Sequence, residues 1–200
     1  DTVEMFSSNG ISEASLQQGC SGFGKMRHND QRLSPIFTIT EDFPPGQVPK
    51  FNSNGEIAPE SLPLISNGEL TNTLVSSRTA AEYGASTNYA EDGEEMRSPT
   101  MNPGDLAHDD VLKELKTGLY LSNIHYLNWS DNPGGRITGL TRYACFWVEK
   151  GEIVAPIETM RFDDTFYRFF GTELESVGAT TEIIPDVLTY GQRNLGAITC

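Results

Sequence analysis

The segment Gly118–Gly151, GLYLSNIHYLNWSDNPGGRITGLTRYACFWVEKG, decides the fold of this chain. Two runs rich in β-branched and aromatic residues flank a loop of Asn, Asp, Pro and Gly. The runs favour strands, and the loop favours a turn because Pro fixes φ and glycine accepts positive φ. The loop is longer than a two-residue turn, so the segment predicts a long hairpin with a wide or bulged turn.

Side chains of the first strand should alternate between the two faces of the sheet. One face is then expected to hold Tyr120, Ser122, Ile124, Tyr126 and Asn128. The other face is expected to hold Leu119, Leu121, Asn123, His125 and Leu127. Both faces mix aromatic and polar side chains, which suits an interface better than a half-solvated sheet.

We therefore predict a binding surface on the hairpin and its turn. Its candidate residues are His125, Tyr126, Asn128, Trp129, Asp131, Arg136 and Arg142. The alternative is that the aromatic residues belong to the core and the arginines hold the turn.

Composition favours a single α+β domain, although 200 residues would also allow two small ones. The 19 glycines and 11 prolines imply frequent turns, and an aromatic content of 10% argues for a packed interior. We predict an α+β fold dominated by antiparallel strands, with two or three short helices packed on them.

Short helices are predicted at residues 11–19, Ser77–Tyr83 and 109–118, each closed by a glycine. Ser12 suits the N-cap of the first, and Val111, Leu112 and Leu115 would form the apolar stripe of the last.

Further strands are predicted at residues 33–43 and 153–157, and another begins near Arg161. A hairpin is predicted from 64 to 76 around Asn67-Gly68, a strong turn signal between apolar runs.

Three segments predict little regular structure. Residues 1–10 are polar and are expected to be irregular or the tail of a missing element, and residues 43–63 form a long loop rich in Pro, Gly and Asn with at most one short strand. Residues 85–99 are acidic, and we expect Glu91, Asp92, Glu94 and Glu95 there to be solvated. Their spacing does not match a calcium-binding loop.

The formal net charge of −14 weighs against nucleic acid as a partner, because DNA and RNA binders neutralise phosphates with Lys and Arg. Cys20, Cys145 and Cys200 are too far apart for a disulfide framework, and Cys145 is expected to be a small core residue. The sequence shows no signal peptide and no apolar run long enough for a membrane helix. The cysteines, which we expect to be reduced, make the cytoplasm the expected compartment.

Three segments, taken in order, resemble the C-terminal half of the TldD/PmbA family of zinc-dependent peptidases and their inactivated relatives. They are GRITGLTR (Gly135–Arg142), FWVEKGEIVAP (Phe146–Pro156) and RFDDT (Arg161–Thr165). Weaker similarity, including PLISNGEL and SRTAAEYG, runs from about Ile11 to Leu195. The resemblance implies that residues 1–200 are the C-terminal domain of a longer protein. An older name links this family to DNA gyrase, but the charge gives no support for direct DNA binding.

Active members of the family hold zinc with two histidines of an H-E-x-x-x-H motif and a distant cysteine. The resemblance implies that the histidine motif falls near Glu4–Asn9 and the cysteine near Asp186–Thr189. Neither segment contains His or Cys, and Cys200 lies too far along the chain. His28, His108 and His125 have no metal-ligand spacing either. We therefore predict no catalytic residue and no metal ligand in this chain, with zinc present only if the missing half supplies the ligands.

Three functions follow as hypotheses. The first is an inactivated homologue or partner subunit that dimerises with itself or with a catalytic relative and helps to bind an extended peptide. The second is an active zinc metallopeptidase whose ligands lie outside this chain. The third is an interaction module, with Trp129 and Trp147 as carbohydrate-binding candidates.

Overall fold

The computed structural model describes residues 2–7, 9–44 and 48–183, except for the side chains of residues 2–4. It is an α+β fold of two four-stranded antiparallel sheets with short helices. The first sheet has the order β3-β2-β1-β4, with β1 (Ile39–Asp42), β2 (Ser61–Ser66), β3 (Glu69–Leu70) and β4 (Pro99–Met101). The second sheet contains β5 (Gly118–Asp131), β6 (Arg136–Glu149), β7 (Glu152–Pro156) and β8 (Arg161–Thr165).

The helices of the described residues are short. They are α1 (Thr2–Ser7), α2 (Glu13–Gln17), α3 (Gly24–Arg27), α4 (Ser77–Tyr83) and α5 (Val111–Leu115). A 3₁₀ turn at His108–Asp110 precedes α5, and a π-helical turn at Arg168–Thr172 follows β8. Within this part of the chain, none of the helices combines the length and the apolar content that crossing a bilayer requires.

The predicted central hairpin is confirmed as β5 and β6. Strand β6 is the middle of the second sheet, with β5 along one side. Its other side pairs first with β8, opposite Arg136–Leu140, and then with β7, opposite Phe146–Glu149. Register shifts after His125 and after Trp129 each insert an extra residue in β5, and these β-bulges break the alternation of its side chains. The shift after Leu121 inserts the extra residue in β6 instead. The predicted division of β5 into two uniform faces is therefore wrong.

The Asn67-Gly68 turn is confirmed between β2 and β3. Asn67 has φ 50° and Gly68 has φ 78°, as a type I′ turn requires. A Cβ atom on Gly68 would lie 2.2 Å from the carbonyl oxygen of Leu33, so a side chain has no room there. The strand after the turn is shorter than predicted, because only Glu69–Leu70 pairs with β2.

Two of the predicted helices form, and each has a capping residue at the end where the sequence predicts it. The Ser15 amide donates to Ser12 Oγ at 3.1 Å, which starts α2. Helix α4 occupies the predicted residues and ends at Gly84, which has a left-handed φ of 68°. The helix predicted at 109–118 is only partly correct. Helix α5 has five residues, and no aspartate side chain caps it.

Residues 1–10 were predicted to be irregular or the tail of an element, and the first alternative is wrong because Thr2–Ser7 form α1. Met5 and Phe6 on this helix are buried in the core. A six-residue helix is too short to show a helical hydrophobic period, so its two apolar residues gave no signal.

The main core lies between the helices, the first sheet and the turn end of the hairpin. Phe6, with 1% of its surface exposed, is at its centre. The Phe6 ring meets those of Phe23, Phe37, Phe166 and Phe170 edge-on, at centroid distances of 5.3, 5.9, 6.1 and 5.5 Å. Such edge-to-face pairs stabilise a core beyond the area that they bury.

Candidate functional site

Trp129, one residue of the predicted binding surface, packs into the core. Its indole N–H donates to the carbonyl oxygen of Met5 at 3.0 Å, and its ring meets Phe166 edge-on at 5.2 Å. A Cβ atom on Gly22 would lie 2.3 Å from this ring, so the backbone at Gly22 lies directly against it. These contacts match the alternative in which the aromatic residues belong to the core. They also remove one of the two tryptophans on which the carbohydrate hypothesis depends.

Tyr126 and Asn128 are exposed on the same strand. Tyr126 lies in a β-bulge with φ 52°, and 71% of its surface is accessible. The centroid of the Tyr126 ring lies 4.1 Å from the centroid of the imidazole ring of His125, which is half-buried. A positive φ is rare for an aromatic residue, and here it lies in the bulge that displays the ring.

Asp131 and Arg136 stabilise the end of the hairpin. The Gly134 amide donates to Asp131 Oδ1 at 3.2 Å, and Arg136 forms an ion pair with Asp163 on β8. Arg142 lies with its guanidinium 5.0 Å from the ring of Tyr143. The seven predicted residues thus comprise one core residue, a pair that supports the turn, two exposed side chains and two half-buried ones, and their role in binding stays a prediction.

Arg168 contacts Asp164 at 3.2 Å, whereas Asp163 is held by Arg136. His28 and His108 are exposed. Cys145 is buried, as predicted, and its thiol donates to the carbonyl oxygen of Arg142 at 3.2 Å.

Helix α1 occupies the position that the family resemblance assigns to the zinc motif. Met5 and Phe6 on this helix are core residues, and Ser7 Oγ accepts a hydrogen bond from the Met96 amide at 3.1 Å. These side chains do not fit a zinc site, which needs His, Cys or carboxylate ligands. In the described part of the chain, no three His, Cys, Asp or Glu side chains gather as a metal site would require. The segment Asp186–Thr189 and Cys200 lie outside the described residues.

Glu94 was predicted to be solvated, and this is wrong, because 1% of its surface is exposed. Its carboxylate accepts from Ser12 Oγ at 2.7 Å, the Ala14 amide at 2.9 Å and the Ser76 amide at 2.8 Å. These donors belong to the N-termini of α2 and α4, where a negative charge is favourable. Burial alone would raise the pKa of Glu94, but its hydrogen bonds together outweigh burial and hold the pKa below the usual value.

Glu41 on β1 is the second buried carboxyl group that the sequence did not reveal. The amides of Arg97 and Ser98 both donate to Oε1 of Glu41, at 2.9 and 3.1 Å. Here burial dominates and raises the pKa of Glu41 to about 7, against the lowering effect of these two bonds and of the Arg97 charge. The pKa values of these two buried glutamates are therefore shifted in opposite directions, because burial dominates at Glu41 whereas the hydrogen bonds together outweigh burial at Glu94.

Comparison with known proteins agrees with the sequence resemblance. The family model described as the PmbA/TldA metallopeptidase C-terminal domain matches residues 1–198. No curated protein matches the sequence significantly.

Solved structures share the fold. A proposed DNA gyrase modulator of Thermotoga maritima has a TM-score of 0.72 at 18% identity, covering 99% of this chain and 44% of its own. TldE of Thermococcus kodakarensis has a TM-score of 0.73 at 16% identity, covering 98% and 45%. A proposed gyrase modulator of Bacteroides thetaiotaomicron has a TM-score of 0.70 at 17% identity, covering 84% and 37%. The chain thus spans less than half the length of these proteins. By its match over residues 1–198, the chain belongs to the PmbA/TldA metallopeptidase family, as a C-terminal domain.

Proposed function

We propose that this chain is the C-terminal domain of a non-catalytic PmbA/TldA-type protein, a partner subunit that helps to bind extended peptides. The observation that carries the proposal is the composition of α1. Where the family resemblance expects zinc ligands, this helix supplies Met5 and Phe6 to the aromatic core. A side chain committed to the core cannot also face a metal and a substrate.

The open edge of β5 supports a role in peptide binding. This strand has 14 residues and pairs only with β6 among the strands of the described residues. An unpaired strand edge offers N–H and C=O groups to an extended peptide, and main-chain bonding of this kind depends little on the sequence of the peptide. The exposed Tyr126 and Asn128 lie on this strand, so they are the candidates for side-chain contacts with the peptide.

Exposed apolar residues of the second sheet support a role in dimerisation. All five residues of β7 are exposed, including Ile153 and Val154, which point to opposite faces of the strand. Leu119 and Met160 are also exposed. Large exposed apolar patches on proteins commonly mark sites of contact with another protein.

Peptide binding is tested by titrating the protein with an unstructured casein fragment and following the titration by calorimetry and mass spectrometry. The proposal predicts binding without cleavage. A second peptide with the same side chains but with every backbone amide N-methylated serves as the control, because it has no main-chain N–H to donate to a strand edge. Cleavage of either peptide by the purified protein would refute the non-catalytic role, and equal binding of both would refute edge addition.

Dimerisation is tested with Val154→Asp, because 58% of Val154 is exposed and a charge there should not disturb the fold. Light scattering should show a dimer of the unchanged protein and a monomer of the variant at micromolar concentration. Ile57→Asp is the matched control, because Ile57 is 67% exposed and lies outside the second sheet. A monomeric unchanged protein, or a dimer that survives Val154→Asp, would contradict the assignment of this surface.

A further inference from the structure

Arg142 lies on the outer face of the second sheet. Along β6, Ile137 and Thr141 belong to the inner face, with 0% and 5% of their surfaces exposed. Arg142 follows Thr141, so its half-buried side chain lies on the opposite face, where Asn123 of β5 is its register partner. None of the ion pairs among the described residues involves Arg142. Because the chain has 28 acidic and 14 basic residues, an arginine without an acidic partner favours a role towards another molecule.

The other two arginines of this face have partners within the chain. Arg136 lies at the turn end of β6 and forms an ion pair with Asp163 of β8. Arg161 of β8 donates from Nε to Thr138 Oγ1 at 3.2 Å. Within the described part of the sheet, Arg142 is therefore the arginine of β6 whose charge is not neutralised.

A β-bulge at Tyr143 sets the position of Arg142. Tyr143 and Ala144 of β6 both lie opposite the single residue Ser122 of β5. Tyr143 has φ 63°, and the centroid of its ring lies 5.0 Å from the guanidinium carbon of Arg142. The Arg142 carbonyl oxygen accepts from Ser122 Oγ at 3.3 Å and from Cys145 Sγ at 3.2 Å. Residues other than glycine that hold such a φ cluster at ligand-binding sites, and here the bulge places an aromatic ring against an unpaired cation.

We propose that Arg142 binds an acidic side chain of an extended peptide that adds to the edge of β5, an inference that rests on the proposed peptide binding. Such a peptide would lie about 4.8 Å beyond β5, and so about 10 Å from β6. Every second side chain of the peptide would then lie on the outer face of the sheet. The side chains of an arginine and a glutamate together span this distance, and a guanidinium binds a carboxylate through two parallel hydrogen bonds.

Asn123 supplies a second donor for the same carboxylate. It is exposed on β5, between Arg142 and the open edge. Its Oδ1 accepts from the Ile124 amide at 2.8 Å, which leaves the Nδ2 group as a donor. The pair of Arg142 and Asn123 thus favours a carboxylate over an ammonium group, since both residues offer donors.

The distribution of charge favours a single acidic side chain rather than an acidic tract. The carboxylates of the second sheet lie towards its two ends, at Asp131, Glu149, Glu152, Asp163 and Asp164. The middle of the sheet around Arg142 therefore attracts a carboxylate locally. The net charge of −14 on the whole chain opposes the approach of a polyanion, so a neutral peptide with one acidic residue should bind best.

Fluorescence anisotropy with two short neutral peptides tests the inference. The peptides alternate Thr and Gln and differ in one central residue, which is Glu in one and Gln in the other. The unchanged protein should bind the Glu peptide about tenfold more tightly than the Gln peptide. Arg142→Gln should reduce this ratio to about one. Arg161→Gln is the matched control, because it removes the same charge from the same face but on β8, one strand further from the peptide.

Equal affinity of the unchanged protein for the two peptides would overturn the inference and leave peptide binding at the edge of β5 intact. A Glu preference that persists in a folded Arg142→Gln variant, or that Arg161→Gln abolishes to the same extent, would also overturn it. Binding of neither peptide would overturn both the inference and the proposed peptide binding. Because the first comparison uses the unchanged protein, it remains decisive even if Arg142→Gln does not fold.

Discussion

The two ends of the β5–β6 hairpin are both rich in apolar and aromatic residues, yet they lie in opposite environments. At the turn end, Trp129 and Ile137 pack with Phe166 in the main core. At the open end, which we define as Leu119, Tyr143, Ile153, Val154 and Met160, the side chains are exposed, Tyr143 by 73%. Helix α1 contacts β5, and near the open end Cys145 and Val148 are buried while the five defined residues stay exposed. A similar composition therefore serves folding at one end and leaves an apolar surface at the other.

The contrast shows what aromatic content in a strand means. Aromatic residues in a strand predict that the strand packs against a partner. They do not show whether this partner is the core of the same chain or another molecule. The β-bulges of β5 add to this ambiguity, because each one changes the face on which the following side chains lie. Substitutions that separate stability from assembly test this difference between the two ends.

The largest loss of stability is expected from Phe166→Ala. Phe166 is fully buried and its ring contacts those of Phe6, Phe23 and Trp129. Its removal should lower the free energy of unfolding by about 3–5 kcal/mol, measured by urea denaturation. Tyr143→Ala at the open end should change it by less than about 0.5 kcal/mol. Similar losses in the two variants would mean that the open end is also part of the folded core.

Glu94→Gln should lower the free energy of unfolding, measured by urea denaturation, by about 2–4 kcal/mol. The side-chain amide of glutamine cannot accept all the hydrogen bonds that the carboxylate accepts from the N-termini of α2 and α4. Glu95→Gln, next in sequence and exposed, should be nearly neutral. Since the pKa of Glu94 is lowered on folding, its contribution is present above about pH 4.5 and is lost as the pH falls through the folded-state pKa. A difference between the two variants that does not shrink in acid would contradict this role.

Glu41 should produce the opposite dependence on pH. The pKa of Glu41 in the folded protein, about 7, lies above its pKa in the unfolded chain. The contribution of Glu41 to the free energy of unfolding is therefore complete below about pH 4.5 and is lost as the pH rises through 7. Glu41→Gln mimics the protonated form, so the variant should be about 3 kcal/mol more stable than the unchanged protein at pH 9. At pH 4 the two proteins should be similar. Urea denaturation across this range checks the crossover, and parallel pH curves would show that Glu41 is ionised in the folded protein.

A small effect of the opposite sign is expected from Tyr143→Gly at the open end. Tyr143 has φ 63°, a conformation that glycine adopts without strain. The variant should keep or slightly raise the free energy of unfolding, by no more than about 1 kcal/mol. A clear loss of stability in thermal denaturation would show that the exposed ring makes contacts essential to the fold.

Features encoded by neighbouring residues were predictable from the sequence. The Asn67-Gly68 turn, helix α4 with its glycine cap and the central hairpin depend on residues that are close together in the chain. The family could also be predicted, because its segments occur in a fixed order.

Features that depend on distant residues were not predictable. Glu94 bonds to Ser12, 82 residues away, and Trp129 bonds to Met5, 124 residues away. Nothing local distinguishes Glu94 from the solvated acidic residues beside it, and Trp129 differs from an exposed tryptophan only through its partners. The predicted binding residues therefore mixed core and surface, because periodicity cannot identify the partner of a strand.

The most direct test of the central claim, that α1 serves the core and not a metal, is the zinc content of the protein in its full natural length. After purification in the presence of zinc, plasma mass spectrometry should find far less than one zinc atom per chain. Adding a chelator should then leave the thermal unfolding temperature unchanged, because structural or catalytic zinc would stabilise the folded state. One zinc atom per chain, with a chelator-sensitive unfolding temperature, would contradict the account.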